Sequence, residues 1–262
     1  MSSPSKNLMD IKRIKRFDQF FVKHKVIRKL MGYVERLAEE GPINILEIGA
    51  GSGNLTKELI PYSKQILAVE LDRDLATYLR ERFADDPVVV VVEEDILNYT
   101  FPHGLDLVIG NIPYYISSDL IKKLIKERNK FKTAILMLQK EFVDKLLSQP
   151  GDKGYTYISV LADNYFDMER LFNISRHEYI PVPKVDSSVL RLTPKSNPQF
   201  SPEELSIIQK LFSHRKKRLR RILKDLFGVD DDRLTLLGEL ADKRIHQVSK
   251  NDLKKVVGIL RG

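Results

Sequence analysis

The chain has 262 residues, 42% hydrophobic and 31% charged, with a formal net charge of +8. That length suits one large domain or two ordinary ones, and the balance of apolar to charged residues excludes a disordered or fibrous protein. There is no cysteine, which excludes a disulfide scaffold, thiolate metal sites, iron–sulfur clusters and a cysteine nucleophile.

No apolar run approaches the roughly 20 residues of a membrane helix, and the opening MSSPSKNLMD lacks the apolar core of a signal peptide. A cytoplasmic protein is expected. The charge is uneven. Residues 1–30 carry nine Lys or Arg against Asp10 and Asp18, and residues 211–224, LFSHRKKRLRRILK, carry seven with no acid, so the rest of the chain is net negative. Two basic patches on an acidic body point to a polyanion, because fixed cations release counterions from phosphate backbones. A solvated helix face is the plain alternative.

Up to about residue 193, short apolar runs alternate with amphipathic stretches, the pattern of βαβ units around a mostly parallel sheet. Strands are predicted at 43–48, 65–70, 88–92, 105–110 and 132–138, with helices between them at 54–60, 73–83 and 118–128. Pro61 closes the first of these helices. In YTYISVLADNY, residues 155–165, Ile158, Leu161, Ala162 and Tyr165 share one helical face. DMERLFNI (167–174) and VDSSVLRL (185–192) read as a closing antiparallel pair joined by a proline-bearing loop. TPKSNPQFSPEE (193–204) reads as a linker, and its Ser201-Pro202-Glu203-Glu204 resembles a helix start. The pattern beyond is helical, with a break at Gly228. The expected organisation is therefore an α/β domain over 1–195 followed by a small all-helical domain over 198–262.

The segment ILEIGAGSGNLT leaves the first strand and opens the first helix. Gly49, Gly51 and Gly53 allow a tight turn and close approach to a ligand beside free helix N–H groups. The spacing is not that of the dinucleotide loop, and by itself such a turn is often only structural. Its context strengthens it. Glu70 ends the second strand, where a carboxylate can take both ribose hydroxyls of a nucleoside, and Asp95 follows the third, placed to accept from an adenine amine. Alone, each is more often a cap or a solvated turn residue. Three strand-end features on one edge of a parallel sheet favour a nucleoside-containing cofactor.

At the end of the fourth strand stands Asn111-Ile112-Pro113-Tyr114. This turn suits transfer to a planar exocyclic amine, whose lone pair is conjugated into its ring. The Asn111 side-chain oxygen and the Ile112 carbonyl can hold the amine hydrogens and direct the lone pair at an electrophile. Pro113 fixes the turn, and Tyr114 offers a face for stacking. A strand-terminating turn with a half-buried tyrosine is the alternative.

Together, EIGAGSGNLT, Glu70, Asp95 and the NIPY turn resemble an S-adenosylmethionine-dependent methyltransferase acting on an adenine amine. KRFDQFFV (15–22), LQKEFVDKL (138–146), EYIPVPKVDSSVLRL (178–192) and LFSHRKKRLRRIL (211–223) resemble the ribosomal RNA adenine N6-dimethyltransferase family, archaeal-type members included. The resemblance covers essentially the whole chain. It implies a Rossmann-like fold with S-adenosylmethionine as cofactor, and transfer of two methyl groups to N6 of each of two adjacent adenosines in the 3′-terminal hairpin of small-subunit rRNA. Ribosome biogenesis is the implied process and the small ribosomal subunit the implied partner. By motif match, Gly49, Glu70, Asp95 and Asn111 would contact the cofactor, with Gly51 and Ile96 beside them and Val22 contributing backbone. Asn111, Ile112 and Tyr114 would hold the target adenine, Pro113 would shape the turn, and Tyr179 would cover the second face of the base. Arg215, Lys216, Lys217, Arg218, Arg220 and Arg221 would grip rRNA.

One departure stands out. The family's first motif reads F-G-Q-N-F-L, whereas this chain has Phe17-Asp18-Gln19-Phe20-Phe21-Val22, and Phe20 cannot hydrogen-bond as asparagine does. Two alternatives share features with this reading: a large-subunit rRNA adenine methyltransferase of the macrolide-resistance type, and a non-catalytic RNA-binding assembly factor. The K-V-D-S continuation favours the small-subunit enzyme, and the intact NIPY turn favours catalysis. The five histidines are scattered without ligand spacing, so no metal is expected. A monomer is expected.

Overall fold

The computed structural model describes residues 21–261. A seven-stranded sheet carries the strand order β4-β3-β2-β5-β6-β9-β7. Its members are β2 (Ile43–Ile48), β3 (Ser63–Glu70), β4 (Val89–Glu93), β5 (Leu105–Asn111), β6 (Phe131–Gln139), β7 (Phe166–Ile174) and β9 (Ser187–Pro194). Strands β2 to β6 pair in parallel, and β9 runs antiparallel to β6. All five strands expected from apolar runs form, within two residues at each end. A separate two-stranded ribbon joins β1 (Phe21–Val22) to β8 (Tyr179–Ile180).

Helices α1 (His24–Leu37), α2 (Asn54–Leu59) and α3 (Arg73–Arg82) contribute buried side chains to one core cluster. Val26, Ile27, Leu30, Met31 and Val34 of α1 recur at helical spacing and are buried there. Strand alternation sends Ile45, Leu107, Ile109, Ile135 and Met137 into the same cluster. Their neighbours Leu46, Val108 and Leu136 point to the opposite face and are equally buried. A sheet buried on both faces explains why these strands read as continuous apolar runs. Helix α1 has no counterpart among the sequence-based expectations; its four lysines and arginines mask a stripe that only burial reveals. Helix α4 (Ser117–Glu127) connects β5 to β6, and α5 (Lys140–Leu146) follows β6.

The described chain forms two compact units, and their boundary differs from the sequence-based one. The first unit runs to Val143 and resumes over Met168–Pro194; the second comprises Asp144–Asp167 and the chain from Lys195 onward. Helix α6 (Tyr157–Tyr165), placed by sequence within the first domain, thus belongs to the second unit. Contacts between residues far apart in the chain account for this. Asn164 of α6 bonds the Phe200 backbone twice, at 3.1 and 2.9 Å, and Asp163 accepts from Lys195 at 3.3 Å and from Lys250 at 2.6 Å.

The rest of the second unit is helical: α7 (Pro202–Ser213), α8 (Leu219–Phe227), α9 (Asp231–Thr235) and α10 (Lys250–Arg261). Ser201 caps α7 in a reciprocal box with Glu204, and Pro202 occupies its first turn, as the sequence suggested. Gly228 ends α8 with φ 64°. Among the described residues no helix is long and apolar enough to cross a membrane, and no group of three His, Cys, Asp or Glu residues could hold a metal ion.

Candidate active site

The strand order reverses between β2 and β5, so the loops leaving these two strands diverge and open a crevice at the carboxyl edge of the sheet. A cleft with a volume of about 220 Å³ lies there. Gly49, Gly51, Glu70, Asp95, Ile96, Asn111, Ile112, Pro113, Tyr114 and Val22 all line it. The fold therefore brings together every residue that sequence assigned to the cofactor, and four of the five assigned to the base.

The glycine loop turns back on itself because Gly49, Gly51 and Gly53 adopt φ of 67°, 59° and 75°, the left-handed region open to glycine. Gly53 also lies so close to α3 that a Cβ there would come within 2.6 Å of the Phe83 ring. The loop is held from three sides. Gly49 N donates to Val69 O at 2.8 Å, and Gly51 N donates to Glu70 Oε2 at 2.8 Å. The Arg82 guanidinium donates to Ser52 O and, at 3.4 Å, to Asn54 Oδ1. From above, Phe21 packs on Gly51, where an added Cβ would meet its ring at 3.2 Å.

Glu70 sits at the end of β3 and is buried. Its Oε1 accepts from Asp72 N at 3.0 Å while Oε2 takes Gly51 N. Burial pushes its carboxyl up, against the backbone N–H donors of Asp72 and Gly51, which favour the charged form. Two of the roughly four acceptor sites of a carboxylate are used in this way, which leaves capacity for a ribose diol. Asp95 also lines the cleft, and its Oδ1 accepts from Leu97 N at 2.9 Å.

A residue not singled out in the sequence lies deeper. Glu47, the one acid in β2, is 1% exposed, and its Oε2 accepts from Thr56 Oγ1 of α2 at 2.6 Å. Burial pushes its pKa up to about 8; the Thr56 hydrogen bond opposes this and Glu70 adds to it. The signal was present as a lone carboxylate in an apolar strand. With Glu70, Asp72, Glu94 and Asp95 it makes five carboxylates lining the cleft, and no Lys, Arg or His lines it among the described residues. Even with Glu47 protonated, the charged groups that line the cleft among the described residues are all acidic, which favours a cationic ligand.

Asn111 ends β5 in register with Met137, and Ile112 N donates to Met137 O at 3.0 Å, which anchors the turn to β6. Close packing of β2 on β5 at this level depends on Gly110, where a Cβ would come within 2.5 Å of Ile48 O. Pro113, at φ −55°, leads into a short 3₁₀ turn, Tyr114–Ile116. The Tyr114 ring is fixed by a 3.0 Å hydrogen bond between its hydroxyl and Ser187 Oγ of β9.

Tyr179 departs from expectation. Its ring is 1% exposed, belongs to the core cluster and does not line the cleft. The cause is strand parity: in the β1–β8 ribbon Val22 faces Tyr179 and Phe21 faces Ile180, and Ile180 points outward at 61% exposure while Tyr179 points in. Burial pushes the Tyr179 phenol up, with the nearby Ser187 hydroxyl opposing and the neighbouring Tyr114 reinforcing the shift. The altered motif positions Asp18, Gln19 and Phe20 lie outside the described residues.

In the second unit, Lys216, Lys217, Arg218, Arg220 and Arg221 line a separate concavity together with Lys224. Arg215 does not; its guanidinium donates to Lys153 O.

A family model described as ribosomal RNA adenine dimethylase matches residues 11–261. A ribosomal RNA small subunit methyltransferase A from Hahella chejuensis is 37% identical over 226 residues, which cover 82% of each chain. A probable ribosomal RNA small subunit methyltransferase A from Methanosarcina acetivorans is 35% identical over 257 residues, covering 93% of this chain and 92% of its own. The crystal structure of a dimethyladenosine transferase from Plasmodium falciparum superposes with a TM-score of 0.78 at 28% identity, over 90% of this chain and 95% of that one. The 23S rRNA methyltransferase ErmE superposes with a TM-score of 0.65 at 25% identity, over 88% and 98% of the two chains. A match that runs from residue 11 to residue 261, with relatives aligned over most of their length, makes this chain a member of the ribosomal RNA adenine dimethylase family.

Proposed function

We propose that this rRNA adenine dimethyltransferase draws its methyl groups from S-adenosylmethionine and acts, in the cytoplasm, on two adjacent adenosines in the 3′-terminal hairpin of small-subunit rRNA. The observation that carries this reading is the Asn111–Tyr114 turn facing a cleft lined by carboxylates alone among charged groups. The donor set fits the cofactor: Glu70 for the ribose hydroxyls, Asp95 for the adenine amine, and the Gly49–Gly51 backbone for close approach. Bound S-adenosylmethionine would supply an electrophilic methyl group on a positively charged sulfur.

The chain's own residues would then position the amine. The Asn111 side-chain oxygen and the Ile112 carbonyl would accept its two hydrogens before the first transfer, and one of them the remaining hydrogen before the second, which turns the N6 lone pair toward the cleft. Tyr114 stacks on the base with its ring held by Ser187. No side chain is needed as a strong base, since the alkylated exocyclic amine sheds its proton readily to water and so regains conjugation with the ring. The basic residues Lys216 to Arg221 bind rRNA backbone.

The test is transfer of radiolabelled methyl from S-adenosylmethionine to unmethylated small ribosomal subunits, followed by nucleoside analysis. Dimethyladenosine in the 3′-terminal hairpin is expected. Label in large-subunit RNA instead would support the macrolide-resistance type, and tight subunit binding without incorporation would support an assembly factor.

A further inference from the structure

The concavity in the C-terminal unit has a volume of about 680 Å³. It forms because α8 is sharply amphipathic: Leu219, Ile222 and Leu223 are buried, and the same spacing turns Arg220, Arg221 and Lys224 outward. The wall is basic, yet it also carries Asp225 and Asp242. Each of these two carboxylates holds a pair of cations. Asp225 takes Lys217 at 3.2 Å and Arg221 at 3.5 Å. Asp242 takes Arg220 at 3.4 Å and Arg218 at 3.8 Å. Both acids are about half exposed, and exposed ion pairs of this kind add little to stability. To a guanidinium or ammonium group, a carboxylate shared between two cations offers much the same partner as the paired oxygens of a phosphodiester.

We propose that Asp225 and Asp242 are built-in competitors for phosphate, holding four cations ready for an RNA backbone that enters the pocket and screening them from RNA that does not. This rests on RNA being the partner. A phosphate track that reaches into the concavity replaces both carboxylates as the partner of Lys217, Arg218, Arg220 and Arg221. An RNA that only grazes the rim meets cations already engaged and two fixed negative charges. Repulsion of the wrong partner is as effective a source of specificity as attraction of the right one.

The test compares the full-length protein with the Asp225→Asn/Asp242→Asn double variant. Binding of a generic RNA hairpin and of unmethylated small ribosomal subunits is measured across a salt series. The double variant should bind the generic hairpin roughly tenfold more tightly at low salt, with a salt slope steeper by about 1.8, or about 0.9 for each of two newly engaged phosphates. Subunit affinity should change far less. Unchanged or weaker hairpin binding overturns the proposal. Glu239→Gln removes an exposed acid of the same unit that does not line the pocket. If it strengthens hairpin binding as much as Asp242→Asn does, bulk charge is the cause and the proposal fails. Wild-type protein that binds small subunits no better than the hairpin would count against the small-subunit reading, while the hairpin comparison would still stand.

Discussion

Replacing Glu47 with glutamine isolates the energetics of a carboxyl group sealed beneath the cleft. Burial pushes the folded-state pKa up to about 8, whereas the unperturbed group titrates near 4.5. Between those values the folded protein keeps a proton that the unfolded chain has lost, so stability falls as pH rises through this window. Each pH unit costs about 1.4 kcal/mol, equivalent to roughly 2–4 °C of melting temperature for a protein of this size. Glutamine has nearly the same shape, and its amide oxygen can still accept from Thr56 Oγ1, but it does not titrate. Thermal melting followed by circular dichroism, from about pH 5 to about pH 9, should show the wild type losing ground to Glu47→Gln up to about pH 8. Above that the difference should level, because both states of the wild type are then ionised. Glu70, raised in the same direction, is present in both proteins, so taking the difference removes most of its contribution. Parallel melting curves across the whole range would refute the argument that Glu47 is protonated in the fold.

The remaining expectations concern chemistry and packing. Asn111→Ala should keep the wild-type circular dichroism spectrum and lose on the order of 10²–10³-fold in methyl transfer, as for removal of a positioning hydrogen bond; wild-type rates would remove the proposed role. Tyr114→Ala should lose about 1–3 kcal/mol of base stacking, read as weaker RNA saturation in steady-state assays. Tyr114→Phe, which gives up only the hydroxyl bond to Ser187, should lose about 1 kcal/mol or less, and equal losses in the two variants would argue against stacking. Gly110→Ala drives a methyl group to 2.5 Å from Ile48 O and must part β2 from β5, so its melting temperature should fall by an amount equivalent to about 1–3 kcal/mol; an unchanged value would show that the strands yield freely. Charge reversal at Arg218 and Arg221 should weaken small-subunit binding and flatten its salt dependence, and unaltered affinity at several salt concentrations would contradict RNA docking there.

Much of the fold was legible locally. The parallel strands announced themselves as short apolar runs, because the central ones, β2, β5 and β6, bury residues on both faces of the sheet. The start of α7 could be read from Ser201 and Pro202 because capping acts over three or four residues. The cofactor and base residues could be placed on one sheet edge because parallel strands interrupted by helices all end on the same side. Helix α1 was not legible, since its lysines and arginines hide a buried stripe, and neither was the membership of residues 144–167 in the second unit. That depends on Asn164 meeting Phe200 and on Asp163 meeting Lys195 and Lys250, contacts between residues 32 to 87 positions apart.

By itself, then, the sequence determined the five parallel strands and the helices between them, the glycine loop, the Asn111–Tyr114 turn and the basic stretch at 215–224, because each is written in short-range spacing or backbone preference. Only the tertiary structure decided how those residues behave once assembled. It sealed Glu47 under the glycine loop, turned Tyr179 inward through its pairing with Val22, joined Tyr114 to Ser187 across 73 residues of chain, and set Asp225 and Asp242 among the cations of α8. Burial and electrostatic neighbourhood are properties of distant segments brought together, and a short-range pattern carries no record of them.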